Sequence, residues 1–193
     1  MSEREYLAIE RVAEFKSEFF DGEMFAMAGG SRGHSLIGLN IGSQLRNQLK
    51  GRCVVFNSEL KIKIEATGLY TYPDASVVCG PEKYAAETDD VLVNPTLLVE
   101  VLSDSTERYD RGKKFEHYRQ IPSLREYLLV SQKEPHVELF VRQENNQWLL
   151  REAVGLEAKI ELPTLEITVA LSEIFANVEF VPVPIRNDPP RSQ

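Results

Sequence analysis

The sequence predicts an α/β fold, a mixed β-sheet covered by helices on both faces, and three observations carry that expectation. From Cys53 to Leu102 the chain is a series of short apolar and β-branched runs separated by turn residues, the pattern of buried strands. Helical periodicity flanks this region, with Ile37, Ile41, Leu45 and Leu49 at i+4 steps before it and a second helix after it. The length, 193 residues, with 42% hydrophobic and 27% charged side chains, suits one globular domain with a sizeable core.

Taken in order, residues 1–20 read as a short amphipathic helix from the spacing of Tyr6, Ile9, Val12, Ala13 and Phe15. Asp21-Gly22 signals a turn into a strand, EMFAMA, and GGSRG is a loop. The next helix covers His34–Lys50, with Ser31 or Ser35 as its cap. Gly38 and Gly42, four apart, would let that helix approach a sheet closely. Strands follow at Cys53–Phe56, Leu60–Ile64, Pro73–Val78 and Leu97–Leu102. A helix over Asp104–Gln120 starts at SDST, where Asp104 and Glu107 have capping-box spacing, and Pro122 ends it. Three more strands (Glu126–Val130, Val137–Arg142, Trp148–Glu152) and a short helix, Leu171–Val178, complete a single domain over 1–180. A Pro-rich tail occupies 181–193.

Charge and composition exclude some classes. A net charge of −8 argues against a protein that coats nucleic acid non-specifically, although Met24–Ser58 holds no acid and carries Arg32, Arg46, Lys50 and Arg52. A second basic cluster, which includes Arg111 and Lys113, is interleaved with acids. No apolar run approaches the ~20 residues of a membrane span, and the charged N-terminal stretch lacks the apolar centre of a signal peptide. Two cysteines make no disulfide framework, so a reducing cytoplasm is the expectation.

The chemistry gathers around PTLLVEVLS. Strand alternation puts Leu98, Glu100 and Leu102 on one face, so a carboxylate projects among leucines and needs a partner there. Asp74, in TYPDASVVC one strand earlier, can stand beside it. Two adjacent carboxylates repel unless one is protonated or a cation lies between them, and oxygen ligands suit Mg²⁺. Asp110, Lys114 and Tyr118 share a helix face at i, i+4 and i+8, and that lysine could steady charge on a phosphate. Taken alone, Asp110–Lys114 would be an ordinary surface pair. Gly29-Gly-Ser31-Arg-Gly33 fits the nucleophile-elbow pattern of a serine hydrolase, but only one strand precedes it. His34 beside it reads as a cap-region residue or a substrate contact.

The set YPD…LLVEVLS…DRGKKFEHYRQIPSLREYLLV resembles the Uma-type restriction endonuclease family of the PD-(D/E)XK nuclease superfamily, over roughly Glu10 to Phe175. The resemblance implies a restriction-endonuclease-like fold and hydrolysis of phosphodiester bonds with Mg²⁺ or Mn²⁺. It makes Asp74 and Glu100 the acidic pair that holds the metal, with the main-chain carbonyl of Leu102. The superfamily lysine would stand at 102, which is leucine, and Lys114 is the matching position. Glu23 matches a further acidic position, while Asp110 and Tyr118 would orient Lys114. Arg46, Lys50, Arg111 and Lys113 are the expected nucleic-acid contacts, DNA is the expected substrate, and a homodimer would supply paired cuts. The alternative implied is a nuclease-fold module that binds nucleic acid or protein without catalysis.

Overall fold

The computed structural model describes residues 1–86 and 88–180; the Pro-rich tail expected at 181–193 lies outside them. The chain runs α1 (Glu3–Glu10), β1 (Ser17–Phe20), β2 (Glu23–Ala26), α2 (Arg32–Leu49), β3 (Cys53–Asn57), β4 (Lys61–Ile64), β5 (Leu69–Thr71) and β6 (Ala75–Cys79). It continues with β7 (Val91–Leu92), β8 (Leu97–Leu102), α3 (107–118), β9 (Glu126–Ser131), β10 (His136–Arg142) and β11 (Trp148–Val154). The last elements are β12 (Lys159–Leu162), β13 (Ile167–Ala170) and α4 (Leu171–Ile174).

The principal sheet has the order β11-β10-β9-β8-β6-β3, with β8 and β9 parallel and the other neighbours antiparallel. Buried on both faces, β8 has no exposed residue, which is why it reads as a continuous apolar run. Val99 and Val101 face a core shared with α2, the β12–β13 hairpin and α4. Leu98 and Leu102 face a second core shared with α3 and with β4 and β5 of a smaller sheet, ordered β2-β1-β5-β4-β7. Helices and the smaller sheet therefore cover the principal sheet on both sides, as the sequence predicts.

The N-terminus departs from expectation. Ser2 and Glu5 form a capping box for α1, but the helix stops at Glu10 and Ser17–Phe20 is a strand. Asp21 (φ 49°) and Gly22 (φ 83°) are both left-handed, which closes a tight hairpin onto β2 in which Phe20 pairs with Glu23. Alternation then buries Phe19 against Tyr6, a contact that a continuous helix would not make. The helix expected at 104–120 starts at Glu107 without a capping box, because the Ser103 hydroxyl accepts the Thr106 N–H instead. Its middle, Asp110–Lys114, is a π turn. The β12–β13 hairpin, β5 and β7 were not expected. Cys53 and Cys79 are register partners across β3 and β6 and form a disulfide, where free thiols were expected.

Candidate active site

Glu100 projects from β8 into the second core at 5% exposure. The β6–β8 register pairs Ala75 with Val99, so Asp74, one residue earlier, stands opposite Glu100. The Asp74 N–H donates to the Val99 carbonyl (3.0 Å), and its Oδ2 accepts the Val101 N–H (2.7 Å). Both carboxylates thus sit on adjacent central strands, with Asp74 fixed by main-chain hydrogen bonds.

Lys114 meets them from α3. Its Nζ lies 2.9 Å from Glu100 Oε1, 3.2 Å from Glu18 Oε1 and 3.6 Å from Asp110 Oδ1. It also lies 5.9 Å from the ring centres of Tyr109 and Tyr118. This is no surface pair: Lys114 and Asp110 are both buried. The Tyr118 hydroxyl donates to Glu100 Oε1 (2.6 Å), so it holds the carboxylate rather than the lysine. Tyr127 donates to the Asp110 carbonyl (3.1 Å) at the first residue of the π turn.

The environment sets the protonation of these groups. Burial pushes the Glu100 carboxyl well above its ordinary range; Lys114 opposes this, while Asp110 and Asp74 add to it. Burial likewise raises Asp110, against the pull of Lys114. Burial alone would depress Lys114, but Glu100, Glu18 and Asp110 hold its ammonium well above the usual value.

His34 enters from the first turn of α2, where its N–H donates to the Ser31 hydroxyl (3.1 Å). Its Nε2 lies 3.4 Å from Asp74 Oδ2. The hydrogen bond to Asp74 raises the imidazole pKa against the opposing effect of burial, and the Val101 carbonyl adds to the rise. A Cβ at Gly30 would fall 2.9 Å from His34 Nδ1, so glycine leaves room for the ring. Ser31 of the elbow-like motif caps the helix and donates to Gln132 (2.6 Å).

Several expected positions change. Strand alternation places the Val101 carbonyl, not that of Leu102, on the Asp74 side of β8, because the Val101 N–H already points there. Glu23 is exposed on β2, and Glu18 of β1 is the hairpin acid that reaches Lys114. Its alternation with Phe19 was hidden by the helical reading of residues 1–20. Arg111 is taken by Glu107 (3.0 Å) and by Glu138, and Lys113 by Glu116 (3.1 Å). Arg46 and Lys50 are exposed on α2, and Arg46 lines a groove that ends at Asp74.

The donor set suits a hard divalent cation. Asp74 Oδ1 and Glu100 Oε2 accept no hydrogen bond among the described residues, and a cation there would offset the repulsion that raises Glu100. Asp74, Glu100 and His34 do not close to within 4.8 Å of one another. Ligand atoms of His136, Glu138 and Glu152 do, on β10 and β11, but His136 bonds Glu152 and Arg111 takes Glu138.

The chain is 38% identical over 181 residues to the uncharacterized protein slr1290 of Synechocystis, covering 93% of this chain and 94% of that one. It is 37% identical over 164 residues to sll1609 of the same organism, covering 84% and 93%. A crystal structure of a putative nuclease belonging to DUF820 from Anabaena variabilis superposes with a TM-score of 0.73 at 19% identity, covering 91% of this chain and 97% of that one. That likeness establishes the restriction-endonuclease-like fold. Residues 4–172 match the family described as Uma2, Putative restriction endonuclease, and with these relatives the match establishes that the chain belongs to the Uma2 family.

Proposed function

We propose that this protein is a divalent-metal-dependent nuclease that hydrolyses phosphodiester bonds in DNA, with its active site at Asp74, Glu100 and Lys114. The observation that carries the proposal is the meeting of Lys114 with Glu100 at 2.9 Å, opposite Asp74, although leucine stands where the superfamily lysine is expected. Asp74, Glu100 and the Val101 carbonyl would hold Mg²⁺ or Mn²⁺. When bound, the cation supplies Lewis-acid polarisation of the scissile phosphate. Lys114 neutralises negative charge that develops on the phosphoryl oxygens. Tyr118 orients Glu100, and Glu18 and Asp110 keep Lys114 charged and aimed. His34 fixes Asp74 from the other face of the sheet. We place the protein in the cytoplasm, where reduction would open the Cys53–Cys79 bridge, and as a homodimer when both strands of a duplex are cut.

The test is cleavage of plasmid DNA with Mg²⁺ or Mn²⁺ by wild type and by Asp74→Ala. Metal-dependent nicking that is lost in the variant supports the reading. If neither metal supports cleavage while DNA binding persists, the protein is a binding module on a nuclease fold.

A further inference from the structure

Glu18 reaches Lys114 from the smaller sheet, and a long glutamate side chain gives up rotamer freedom to do so, so something must hold it there. The β1–β5 register pairs Phe19 with Tyr70, and one step along this antiparallel pair sets Thr71 opposite Glu18, on the same face of the smaller sheet. The Thr71 hydroxyl donates to Glu18 Oε1, the oxygen that lies 3.2 Å from Lys114 Nζ. Thr71 is fully buried, and its branched Cβ restricts χ1, so the direction of that donor is set by the strand. The same hydroxyl lies beside that of Tyr118, which donates to Glu100 Oε1 (2.6 Å), and Lys114 sits 2.9 Å from that second oxygen. Glu18 also accepts a hydrogen bond from Tyr109, which is half-buried on α3. Tyr109 belongs to the helix that carries Lys114, so it cannot fix Glu18 against either sheet. Thr71 can. It ends β5, and three residues on the same stretch of chain becomes Asp74, at the crossing from the smaller sheet to β6 of the principal one.

We propose that Thr71 is a positioning residue of this site: through Glu18 it sets where the Lys114 ammonium stands relative to Asp74 and Glu100. The proposal rests on the nuclease reading above. Thr71 touches neither phosphate nor cation, and its whole effect passes through a carboxylate. Without the hydroxyl, Glu18 loses the donor that fixes its Oε1 and is free to turn, and Lys114 is left to Glu100 and Asp110 alone. A shift of about 1 Å in a group that stabilises developing charge costs up to about 100-fold in rate. Binding of the nucleic acid is untouched, because a fully buried hydroxyl offers the substrate nothing.

The experiment is steady-state nicking of supercoiled plasmid DNA in Mg²⁺ or Mn²⁺, with a thermal melt of every variant. Thr71→Val keeps the shape and loses the hydroxyl; it is expected to lower kcat about 10-fold or more while KM stays within about 2-fold. Thr71→Ser keeps the hydroxyl and loses a buried methyl; it is expected to hold kcat within about 3-fold although it melts lower than wild type. In a Glu18→Ala background, Thr71→Val is expected to change kcat by less than about 2-fold, since its route to Lys114 is already cut. An unchanged kcat in Thr71→Val, equal losses in Thr71→Val and Thr71→Ser, or losses that multiply with Glu18→Ala overturn the proposal. So does a Thr71→Val chain that fails to fold, because the hydroxyl would then hold the fold rather than the lysine. If Asp74→Ala abolishes nicking while Thr71→Val matches wild type, the positioning inference fails and the nuclease reading stands. If wild type nicks DNA with neither metal, both fall.

Discussion

Replacing Lys114 by methionine removes the one cation that Glu100, Glu18 and Asp110 share at 2.9, 3.2 and 3.6 Å. All four side chains are at most 12% exposed, so solvent screens little of the loss. Leaving a buried ion pair without its partner costs about 3–5 kcal/mol, a large share of the ~5–15 kcal/mol that holds a domain together. The acids can limit that cost by binding protons, because burial already pushes Glu100 and Asp110 up. A raised carboxyl makes the native state bind more protons than the unfolded chain, so stability falls as pH rises above the ordinary value of 4.5 for Glu. For one such proton the deficit of Lys114→Met shrinks by up to about 2.7 kcal/mol between pH 8 and pH 6, at 1.36 kcal/mol per unit. Urea denaturation of metal-free wild type and variant at pH 8, 6 and 5 measures this. Adding Glu100→Gln to the variant should recover more than about 1 kcal/mol at pH 8, as a positive coupling. A loss below about 1 kcal/mol, independent of pH, would refute the buried cluster.

Three further outcomes follow from the geometry. Reduction of Cys53–Cys79, separated by 26 residues, should lower stability by about 3.5 kcal/mol on loop-closure entropy, read as a shift of the urea midpoint with and without dithiothreitol. In metal-free protein the pairing of His34 with Asp74 raises the imidazole above 6.5, so its contribution is full below pH 6.5 and lost as pH rises through the folded value. His34→Gln should remove that slope from the stability–pH curve. Gly38→Ala and Gly42→Ala should each stabilise the fold by about 0.5–1 kcal/mol by calorimetry, since neither new methyl meets an atom within 4 Å.

The parts of this molecule that sequence reveals are those governed by local periodicity. Alternation in LLVEVL identifies the face that carries Glu100, and the cores on either side of β8 divide its residues the same way. The i+4 ladder of α2 likewise marks its buried stripe. Asp74 and Glu100 were legible from the pattern, because a charge among leucines demands a partner, whereas Lys114, by itself an ordinary i+4 pair with Asp110, was singled out only by the family resemblance. Glu18 was not, since Phe15, Phe19 and Phe20 suit a helix as readily as a strand until β2 pairs with them. The Val101 carbonyl and the Cys53–Cys79 bridge depend on strand register, which no single segment encodes. The π turn, whose first residue Asp110 offers its carbonyl to Tyr127, leaves no local signal in DRGKK.

The lysine of this site is gripped by pieces of chain that belong to different sheets and to a helix. Glu18 belongs to the smaller sheet, Glu100 to the principal sheet, and Asp110 to the helix that carries Lys114 itself. Until the N-terminal hairpin has docked, Lys114 therefore lacks one of its anchors. Under the nuclease reading, a nascent or misassembled chain would be harmless to the cell that makes it, because the ability to cut arrives only with the completed fold.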